Sequence, residues 1–407
     1  MSGRTRIAVT AGRATGWLSR VSGRGQGATI SGRVMNRLAP NALTELARGQ
    51  HVTLVSATNG KTTTTKLLVA VLEAADKPVI SNATGANLTS GIAPILARAP
   101  GPGIAVLEVD ERVVRRVVDP LQVEHLVLGN LSRDQLDRYG EVHAVGDQWR
   151  AVCETHPDLR VVANASDPHI VWAAGPAKTT WVTLGAGWRN DAATCPSCGA
   201  LLEWTVEAFR CPTCDFAPPQ TANRLDGDTL VLDGTRVPLR LALPGRWNLA
   251  NAALAVTAAV TEFDVDPSVA AEAVASVHSV AGRYTTVRLD DGRDAHILLA
   301  KNPAGWSEVL QYLAGTDSAV VIAVNARVAD GKDPSWLWDV PYELLRGHAV
   351  AAAGDRCLDV AVRLHYGGID PVLEPDPLRA ALRIPGDTVH IVASYTQFSA
   401  LYRKFGR

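Results

Sequence analysis

Residues 52–64 read VTLVSATNGKTTT, an apolar run followed by a Gly-Lys-Thr turn. This order predicts a β-strand, a tight turn at Gly60 and a helix that begins near Lys61. A glycine lets the backbone approach a phosphate, and the N–H groups at the start of a helix point towards it. The lysine can reach the terminal phosphates and the hydroxyl of Thr62 can bind Mg²⁺. We therefore predict an ATP site at Thr58, Asn59, Gly60, Lys61, Thr62 and Thr63.

The match to the standard phosphate-binding loop is incomplete, because Val55 stands where that pattern has its first glycine. A Gly-Lys-Thr match of three residues by itself favours an ordinary turn. The strand before it and the helical spacing after it favour the nucleotide site. That spacing is carried by Lys66, Leu67, Leu68, Val71 and Leu72.

Length, charge and hydropathy restrict the class of protein. A chain of 407 residues is too long for one core and predicts two or three domains. Lys plus Arg number 40 against 41 for Asp plus Glu, so no overall positive field indicates a nucleic-acid partner. No apolar run approaches the roughly 18 residues of a membrane span.

The first fifty residues are locally basic, with eight arginines and one acid, Glu45. They lack the apolar core of a secretion signal. We interpret residues 1–50 as a leader segment with solvated helical pieces. The functional alternative is a surface that contacts anionic lipid headgroups at the inner membrane face.

The order of elements after residue 50 predicts two α/β domains. Near-continuous apolar runs at VTLVS, KPVIS, IAVLEVDE and VEHLVLGN are typical of buried parallel strands. We expect a doubly wound domain over residues 51–284, with Thr58, Glu108 and Asn130 at the carboxyl ends of strands, where ligands bind. Four further runs, DAHILLAKNP, SAVVIAVNA, HAVAAAG and DTVHIVAS, predict a smaller α/β domain over residues 285–407.

Two CxxC pairs interrupt the first domain at about residues 190–220. They are Cys195-Pro-Ser-Cys198 and Cys211-Pro-Thr-Cys214, separated by twelve residues. Four thiolates on two turns suit tetrahedral Zn²⁺ and leave no open position, so we predict a structural zinc ribbon. Disulfides are the alternative, and they are disfavoured in a cytoplasmic chain with an ATP site.

Several further motifs, taken together, resemble the Mur ligase family of ATP-dependent amide-forming enzymes. They are a polar turn at residues 87–91, LEVDE around Glu108, NLSRDQLDRYGE at 130–141 and GRWNLANAALA at 245–255. The resemblance implies that Lys61 and Thr62 bind phosphate and Mg²⁺, that Glu108 binds Mg²⁺, and that Asn248 and Asn251 lie near the adenine. Arg283 joins the implied nucleotide-binding residues.

Departures from the general family pattern indicate one branch. Gln135 follows Asp134 where the family has histidine, only fifty residues precede the loop, and the cysteine insert is foreign to the peptide-adding members. All three resemble the MurT branch, the synthetase subunits of lipid II isoglutaminyl synthases. Segments 299–310, 329–343, 353–364 and 393–398 are similar to the C-terminal domain of that branch.

The resemblance implies amidation of the D-glutamate α-carboxylate in the lipid II stem peptide. ATP would activate the carboxylate as an acyl phosphate, and ammonia from glutamine would then attack it. A glutaminase needs a cysteine nucleophile with a histidine base. Outside the CxxC pairs the chain offers only Cys153 and Cys357, neither in a glycine-flanked elbow. The implied partner is therefore a GatD-type glutamine amidotransferase, with both proteins cytoplasmic at the inner face of the membrane.

The segment ADGKDPSWLWD, residues 329–339, has two interpretations. One is a capped helix, with Asp333 or Ser335 at the cap and the tryptophans packed beneath it. The other is an acid presented to the histidine of the partner's Cys–His pair. The resemblance favours the second interpretation, with Asp339 first and Asp333 behind it.

Two other functions remain open, a different ligase and a scaffold, and so does the role of the Lys301-Asn302 turn. A Mur-type amino-acid ligase or a folylpolyglutamate synthase would work without a glutaminase. A zinc-ribbon scaffold without catalysis would have no use for Lys61, Thr62 and Glu108. Lys301-Asn302 lies at a strand end, where either a phosphate contact or a simple surface turn accounts for it.

Overall fold

The computed structural model describes residues 1–21, 27–82, 87–134, 142–185, 187–206, 208–280 and 282–405. Gln135 and the rest of segment 135–141 lie outside this range. The chain forms two compact units. The first comprises Met1–Leu131, Val142–Ala242 and Trp247–Val277, and the second Ser132–Glu141, Leu243–Arg246 and His278–Arg407.

A six-stranded parallel sheet forms the centre of the first unit. Its strands are β1 (Gln50–Ser56), β2 (Val79–Ser81), β3 (Gly103–Glu108), β4 (His125–Leu128), β5 (Arg160–Asn164) and β6 (Lys178–Val182). Their order is β2-β3-β1-β4-β5-β6, which confirms the predicted doubly wound architecture. The central strands are buried on both faces, which explains their unbroken apolar sequences.

Ten helices are described in the first unit. They are α1 (Gly3–Val21), α2 (Ala28–Leu38), α3 (Ala42–Ala47), α4 (Lys61–Ala74), α5 (Thr89–Leu96), α6 (Val114–Leu121), α7 (Val142–Thr155), α8 (Pro168–Ala174), α9 (Arg246–Phe263) and α10 (Pro267–Ala275). The described residues that precede β1 therefore form three helices, and Ala8, Met35 and Leu43 belong to the main core of this unit. None of the helices in the described ranges is long and apolar enough to cross a bilayer.

Five short strands complete the first unit. They are β7 (Glu203–Trp204), β8 (Phe209–Arg210), β9 (Arg224–Asp226), β10 (Thr229–Leu232) and β11 (Thr235–Pro238). The first two form a hairpin between the CxxC pairs, and the other three form an antiparallel sheet.

The second unit has its own six-stranded sheet. Its strands are β12 (Tyr284–Arg288), β13 (Asp294–Leu299), β14 (Ala319–Ala323), β15 (Val350–Ala353), β16 (Val372–Leu373) and β17 (Thr388–Ala393). Their order in the sheet is β12-β13-β17-β14-β15-β16. Only β12 is antiparallel to its neighbour. The helices are α11 (Pro303–Leu313), α12 (Cys357–Tyr366), α13 (Pro377–Arg383) and α14 (Tyr395–Phe405), with 3-10 turns at Ser335–Asp339 and Tyr342–Leu345.

Two histidines face each other on neighbouring strands of this second sheet. His296 on β13 is in register with His390 on β17, and their ring centroids are 5.1 Å apart. The Nδ1 atom of His296 forms a hydrogen bond of 2.9 Å with the hydroxyl of Tyr284. The Nδ1 atom of His390, in contrast, is buried and has no hydrogen-bond partner among the described residues. Burial, with a smaller contribution from His296, lowers the pKa of His390 to about 4.

We expect the second unit to lose stability as the pH falls from about 6.5 towards 4. The native state disfavours protonated His390, so in this window the unfolded chain binds more protons, and the stabilisation that is present above the unfolded pKa is lost. The substitution His390→Phe should reduce this pH-dependent loss in the free energy of unfolding by on the order of 2 kcal/mol. Chemical denaturation at several pH values measures it.

The exposed His278 provides the matched control, and His278→Gln should leave the pH profile as it is in the unmodified chain. An equally steep loss of stability in His390→Phe and in the unmodified chain would show that His390 does not cause it.

Candidate nucleotide site and cysteine cluster

The turn between β1 and α4 has the backbone shape that the sequence predicts. Gly60 precedes the first helical residue with φ of +90°, a conformation that favours glycine. A Cβ atom at this position would lie 2.2 Å from the Oδ1 atom of Asn251. The amide of Asn251 thus packs directly on the turn, and a larger residue at position 60 would displace it.

Asn130, two residues after the end of β4, holds the other side of the turn. Its carbonyl accepts from the N–H of Thr58 at 2.9 Å, and its side chain exchanges two hydrogen bonds with the backbone of Asn59 at 2.9 and 3.0 Å. The N–H of Leu131 in turn donates to Asp167 at 2.8 Å, and Asp167 also caps α8. Desolvation raises the pKa of Asp167.

The side chain of Lys61 is folded back into the loop. It is 4% exposed, and its Nζ atom donates to the carbonyl of Ala57 at 2.8 Å and lies 3.4 Å from the carboxylate of Glu111. Glu111 is itself buried, and its carbonyl accepts from the indole N–H of Trp149 at 2.8 Å. The positive charge is therefore placed at the carboxyl ends of the strands, beside the carboxylate of Glu111.

Glu108, the last residue of β3, has no exposed surface. Its backbone N–H and carbonyl both pair with the side chain of Asn82 at 2.8 Å, and Asn87 lies 3.4 Å from its Oε1 atom. The Oε2 atom is buried and has no hydrogen-bond partner among the described residues. A buried carboxylate oxygen without a donor requires a cation or a proton, so this position fits a hard cation such as Mg²⁺.

Two asparagines of α9 lie at the same loop. The hydroxyl of Thr64 donates to the Oδ1 atom of Asn251 at 3.3 Å, and the Nδ2 atom of Asn251 is 3.5 Å from the Oδ1 atom of Asn248. Both asparagines are 7% exposed. Arg283 lies in the second unit, where its backbone pairs with Val280 and Leu299.

A second polar cluster belongs entirely to the second unit. The ammonium of Lys301 forms a close ion pair with the carboxylate of Asp134, and the side chains are 19% and 14% exposed. Asn302 caps α11 by accepting from the N–H of Gly305 at 2.9 Å, and its Nδ2 atom is 3.5 Å from Asp134.

The acids of segment 329–339 differ in their surroundings. Asp330 is buried and accepts from the N–H groups of Arg327 and Thr396, which ties the segment to α14. Asp333 is exposed and accepts from the N–H of Ser335 at 2.9 Å, a bond that lowers its pKa. Asp339 is 3.3 Å from the guanidinium of Arg133.

The tryptophans of this segment also differ. Trp336 packs against Trp306 with ring centroids 6.0 Å apart, whereas Trp338 is 56% exposed. The predicted capped helix is therefore wrong: Ser335–Asp339 is a 3-10 turn with Pro334 at its N-cap and no side-chain cap. Trp336 is packed as predicted, and Trp338 is not.

The four paired cysteines converge on one point in the first unit. Their sulfur atoms all lie within 4.8 Å of one another, with 3.6 Å between Cys195 and Cys214 and 3.5 Å between Cys198 and Cys211. Ligands of a tetrahedral zinc are about 3.8 Å apart for Zn–S bonds of about 2.3 Å. The cluster thus has the dimensions of a tetrathiolate metal site, and a small core with Phe209 supports it.

Sequence reasoning missed Glu111 as the partner of Lys61 and Asn82 as the partner of Glu108. The only local signal for Glu111 is the acid-rich end of LEVDE, and for Asn82 a polar residue directly after β2. Both contacts join positions far apart in the chain, so spacing alone does not reveal them.

Comparison with known proteins agrees with this geometry. The family described as Mur ligase middle domain matches residues 55–259, about half of the chain, and the family described as MurT ligase C-terminal matches residues 299–398. Among solved structures, a pseudomurein peptide ligase type C from Methanothermus fervidus superposes with a TM-score of 0.68 at 19% identity. The match covers 87% of this chain and 79% of that one, and it shows the shared fold.

The chain belongs to the Mur ligase family. Within that family it is similar over nearly its full length to MurT subunits of glutamine-hydrolysing lipid II isoglutaminyl synthases. The Streptococcus pneumoniae subunit is 28% identical over 97% of this chain and 96% of its own length. The Staphylococcus aureus subunit is 28% identical over 94% and 93%.

We predict that Lys61→Met weakens binding of Mg²⁺–ATP about 100-fold, because the variant loses the charge that would face the phosphates. Calorimetric titration measures the affinity. Unfolding should also become easier, since Glu111 is left buried without its counter-charge.

Lys66, on the exposed side of the same helix, provides the matched control. Lys66→Met should bind the nucleotide as tightly as the unmodified chain. Equal affinities of the two variants for Mg²⁺–ATP would show that Lys61 does not contribute to nucleotide binding.

Proposed function

We propose that this chain is the synthetase subunit of a lipid II amidotransferase. It would use ATP to activate the α-carboxylate of D-glutamate in the stem peptide and amidate it to D-isoglutamine. The observation that carries the proposal is the similarity to MurT subunits over both units, because the match continues beyond the nucleotide-binding domain into residues 299–398.

The residues of the nucleotide site suit phosphoryl transfer to a carboxylate. A carboxylate oxygen would attack the γ-phosphorus as ADP leaves, and ammonia would then attack the acyl carbon as phosphate leaves. Lys61 would exchange its contact with the carbonyl of Ala57 for phosphate oxygens. The N–H groups at the start of α4 would bind the same phosphates.

Two metal ions are part of the proposal. Mg²⁺ held by Thr62 and the free oxygen of Glu108 would neutralise charge that develops on the phosphates. Zn²⁺ held by Cys195, Cys198, Cys211 and Cys214 would stabilise the insert and leave no ligand position open.

Ammonia would come from a GatD-type glutamine amidotransferase. The two cysteines outside the cluster are unsuited to a glutaminase, since Cys357 is buried and burial raises the pKa of Cys153 to about 12. Lipid II would place both proteins at the cytoplasmic face of the membrane.

An apolar patch on the second unit is the proposed docking surface for that partner. Trp338, Leu358, Val362 and Tyr366 are 51–73% exposed, and part of the patch lines a cavity of about 360 Å³ next to Asp333. Aromatic residues at such exposure are typical of the centre of an interface. Asp333 lines the same cavity, and Asp339 directly follows Trp338 in sequence. These two acids are the candidates for orienting the histidine of the glutaminase.

The decisive experiment is amidation of lipid II by the purified chain with ATP and Mg²⁺. Ammonium chloride should support amidation by the chain alone, and glutamine only when the glutaminase subunit is added. Ligation of a free amino acid without any amidation would instead assign the chain to the ordinary Mur or folylpolyglutamate ligases. Absence of ATP turnover with every substrate would indicate a scaffold.

The two candidate acids can be separated by their effect on each nitrogen source. If Asp339 orients the partner's histidine, Asp339→Asn should lower glutamine-dependent amidation about 10²- to 10⁴-fold and leave ammonia-dependent amidation intact. Asp333→Asn should have the smaller effect. The exposed Asp317 offers a control, as Asp317→Asn should change neither rate.

We expect about one zinc per chain, which metal analysis of protein purified without added zinc measures. The double variant Cys198→Ser/Cys214→Ser should contain none, and protease should cut it between residues 190 and 220. Cys357→Ser should keep its metal. Full metal content in the double variant would overturn the assignment of the ligands.

A further inference from the structure

Helix α1 has one face against the protein and one free face. Its buried residues recur every three or four positions and form the inner stripe: Thr5, Ala8, Val9, Gly12, Gly16 and Ser19. The remainder of the helix surface points away from α2 and from the core of the first unit.

Close packing fixes which face is free. A Cβ atom at Gly12 would lie 2.6 Å from the Cγ atom of Met35 on α2. At the next contact, a Cβ atom at Gly32 of α2 would lie 1.7 Å from the carbonyl oxygen of Ser90 on α5. The guanidinium of Arg13 also donates to the carbonyl of Ala97 at 2.8 Å. The helix therefore cannot turn its free face inward without losing these contacts.

The free face is apolar where a solvated helix would be polar. Ile7 is 69% exposed, Trp17 and Leu18 are each 57% exposed, and Val21 is 68% exposed. Ile7 and Val21 lie two heptads apart with the exposed Ala14 between them, so they form one row along the helix.

A row of arginines runs along the edge of this apolar row. Arg6, Arg13 and Arg20 repeat every seven residues. They directly precede Ile7, Ala14 and Val21 of the row, respectively. The described arginines of the first fifty residues take part in no ion pair within the described chain. The one acid of this segment, Glu45, accepts from the N–H and hydroxyl of Ser2 at 2.6 and 2.8 Å.

We infer that α1 lies in the surface of an anionic lipid bilayer. The row of Ile7 and Val21, with Trp17 and Leu18, would enter the boundary between headgroups and acyl chains, and Arg6 and Arg20 would meet lipid phosphates. An apolar row bordered by arginines, with tryptophan among the apolar residues, is the arrangement that such a surface stabilises. The inference goes beyond the proposed function, because binding to lipid requires neither nucleotide nor catalysis.

The test is sedimentation of the full chain with vesicles of phosphatidylglycerol and phosphatidylcholine in equal amounts, and with phosphatidylcholine vesicles alone. Binding should occur with the first and weaken as salt is raised. The variant Arg6→Gln/Arg20→Gln should lower the partition coefficient about 30-fold, and Trp17→Ser/Leu18→Ser about tenfold or more.

Matched variants elsewhere on the surface test whether position matters. Leu201 and Val206 are 71% and 85% exposed, so Leu201→Ser/Val206→Ser removes comparable apolar surface. Arg240→Gln/Arg403→Gln removes two exposed arginines. Both control variants should bind the anionic vesicles within about twofold of the unmodified chain, because none of the four substituted residues belongs to α1.

A spectroscopic readout distinguishes insertion from simple adsorption. Brominated acyl chains in the vesicles should quench part of the tryptophan emission of the unmodified chain. Trp17→Phe, which keeps an aromatic ring at this position, should still bind but lose that part of the quenching.

Three outcomes would overturn the inference: no binding to the anionic vesicles, equal binding by the α1 variants and the controls, or no difference in quenching for Trp17→Phe. A dimer in solution that Trp17→Ser/Leu18→Ser converts to monomer, without any vesicle binding, would assign the row to self-association. Failure of lipid II amidation would leave a positive vesicle result standing, so the two proposals can fail separately.

Discussion

The parallel pairing of β1 with β3 and β4 is the constraint on which the candidate nucleotide site depends. In this register Val55 lies opposite Glu108 on one side, and Ser56 lies opposite Leu128 on the other. The three strands therefore end at the same edge of the sheet, and the loops that follow them carry Gly60 and Asn130 to the edge where Glu108 lies. A register shift of one residue would turn the side chain of Glu108 to the other face of the sheet.

The architecture was largely predictable, because its signals are local. Buried parallel strands have continuous apolar sequences, and all eight strands predicted from such runs occur in the two sheets. The position of Gly60 before α4 follows from the Gly-Lys-Thr turn, and the cysteine cluster follows from two CxxC pairs. In each case the decisive residues lie within a few positions of one another.

The partners within the site were harder to predict, because they come from distant parts of the chain. Glu111 reaches Lys61 across 50 residues, and Asp134 reaches Lys301 across 167. Asn82 shows no periodicity or spacing that would mark it as the support of Glu108. The free face of α1 could be predicted only in part. Its arginines are evident in the sequence, but which apolar residues of the helix are exposed depends on how α1 packs against α2.

The balance of charge at the edge of the first sheet has a consequence for the form in which a nucleotide can enter. Lys61 is already matched by Glu111, and Glu108 adds a carboxylate that no described cation balances. A bare triphosphate, with several negative charges of its own, would be repelled here by Coulomb interactions. A triphosphate that carries a divalent ion brings the missing charge with it. With the function proposed above, this balance of charge would favour binding of the metal complex over the free anion.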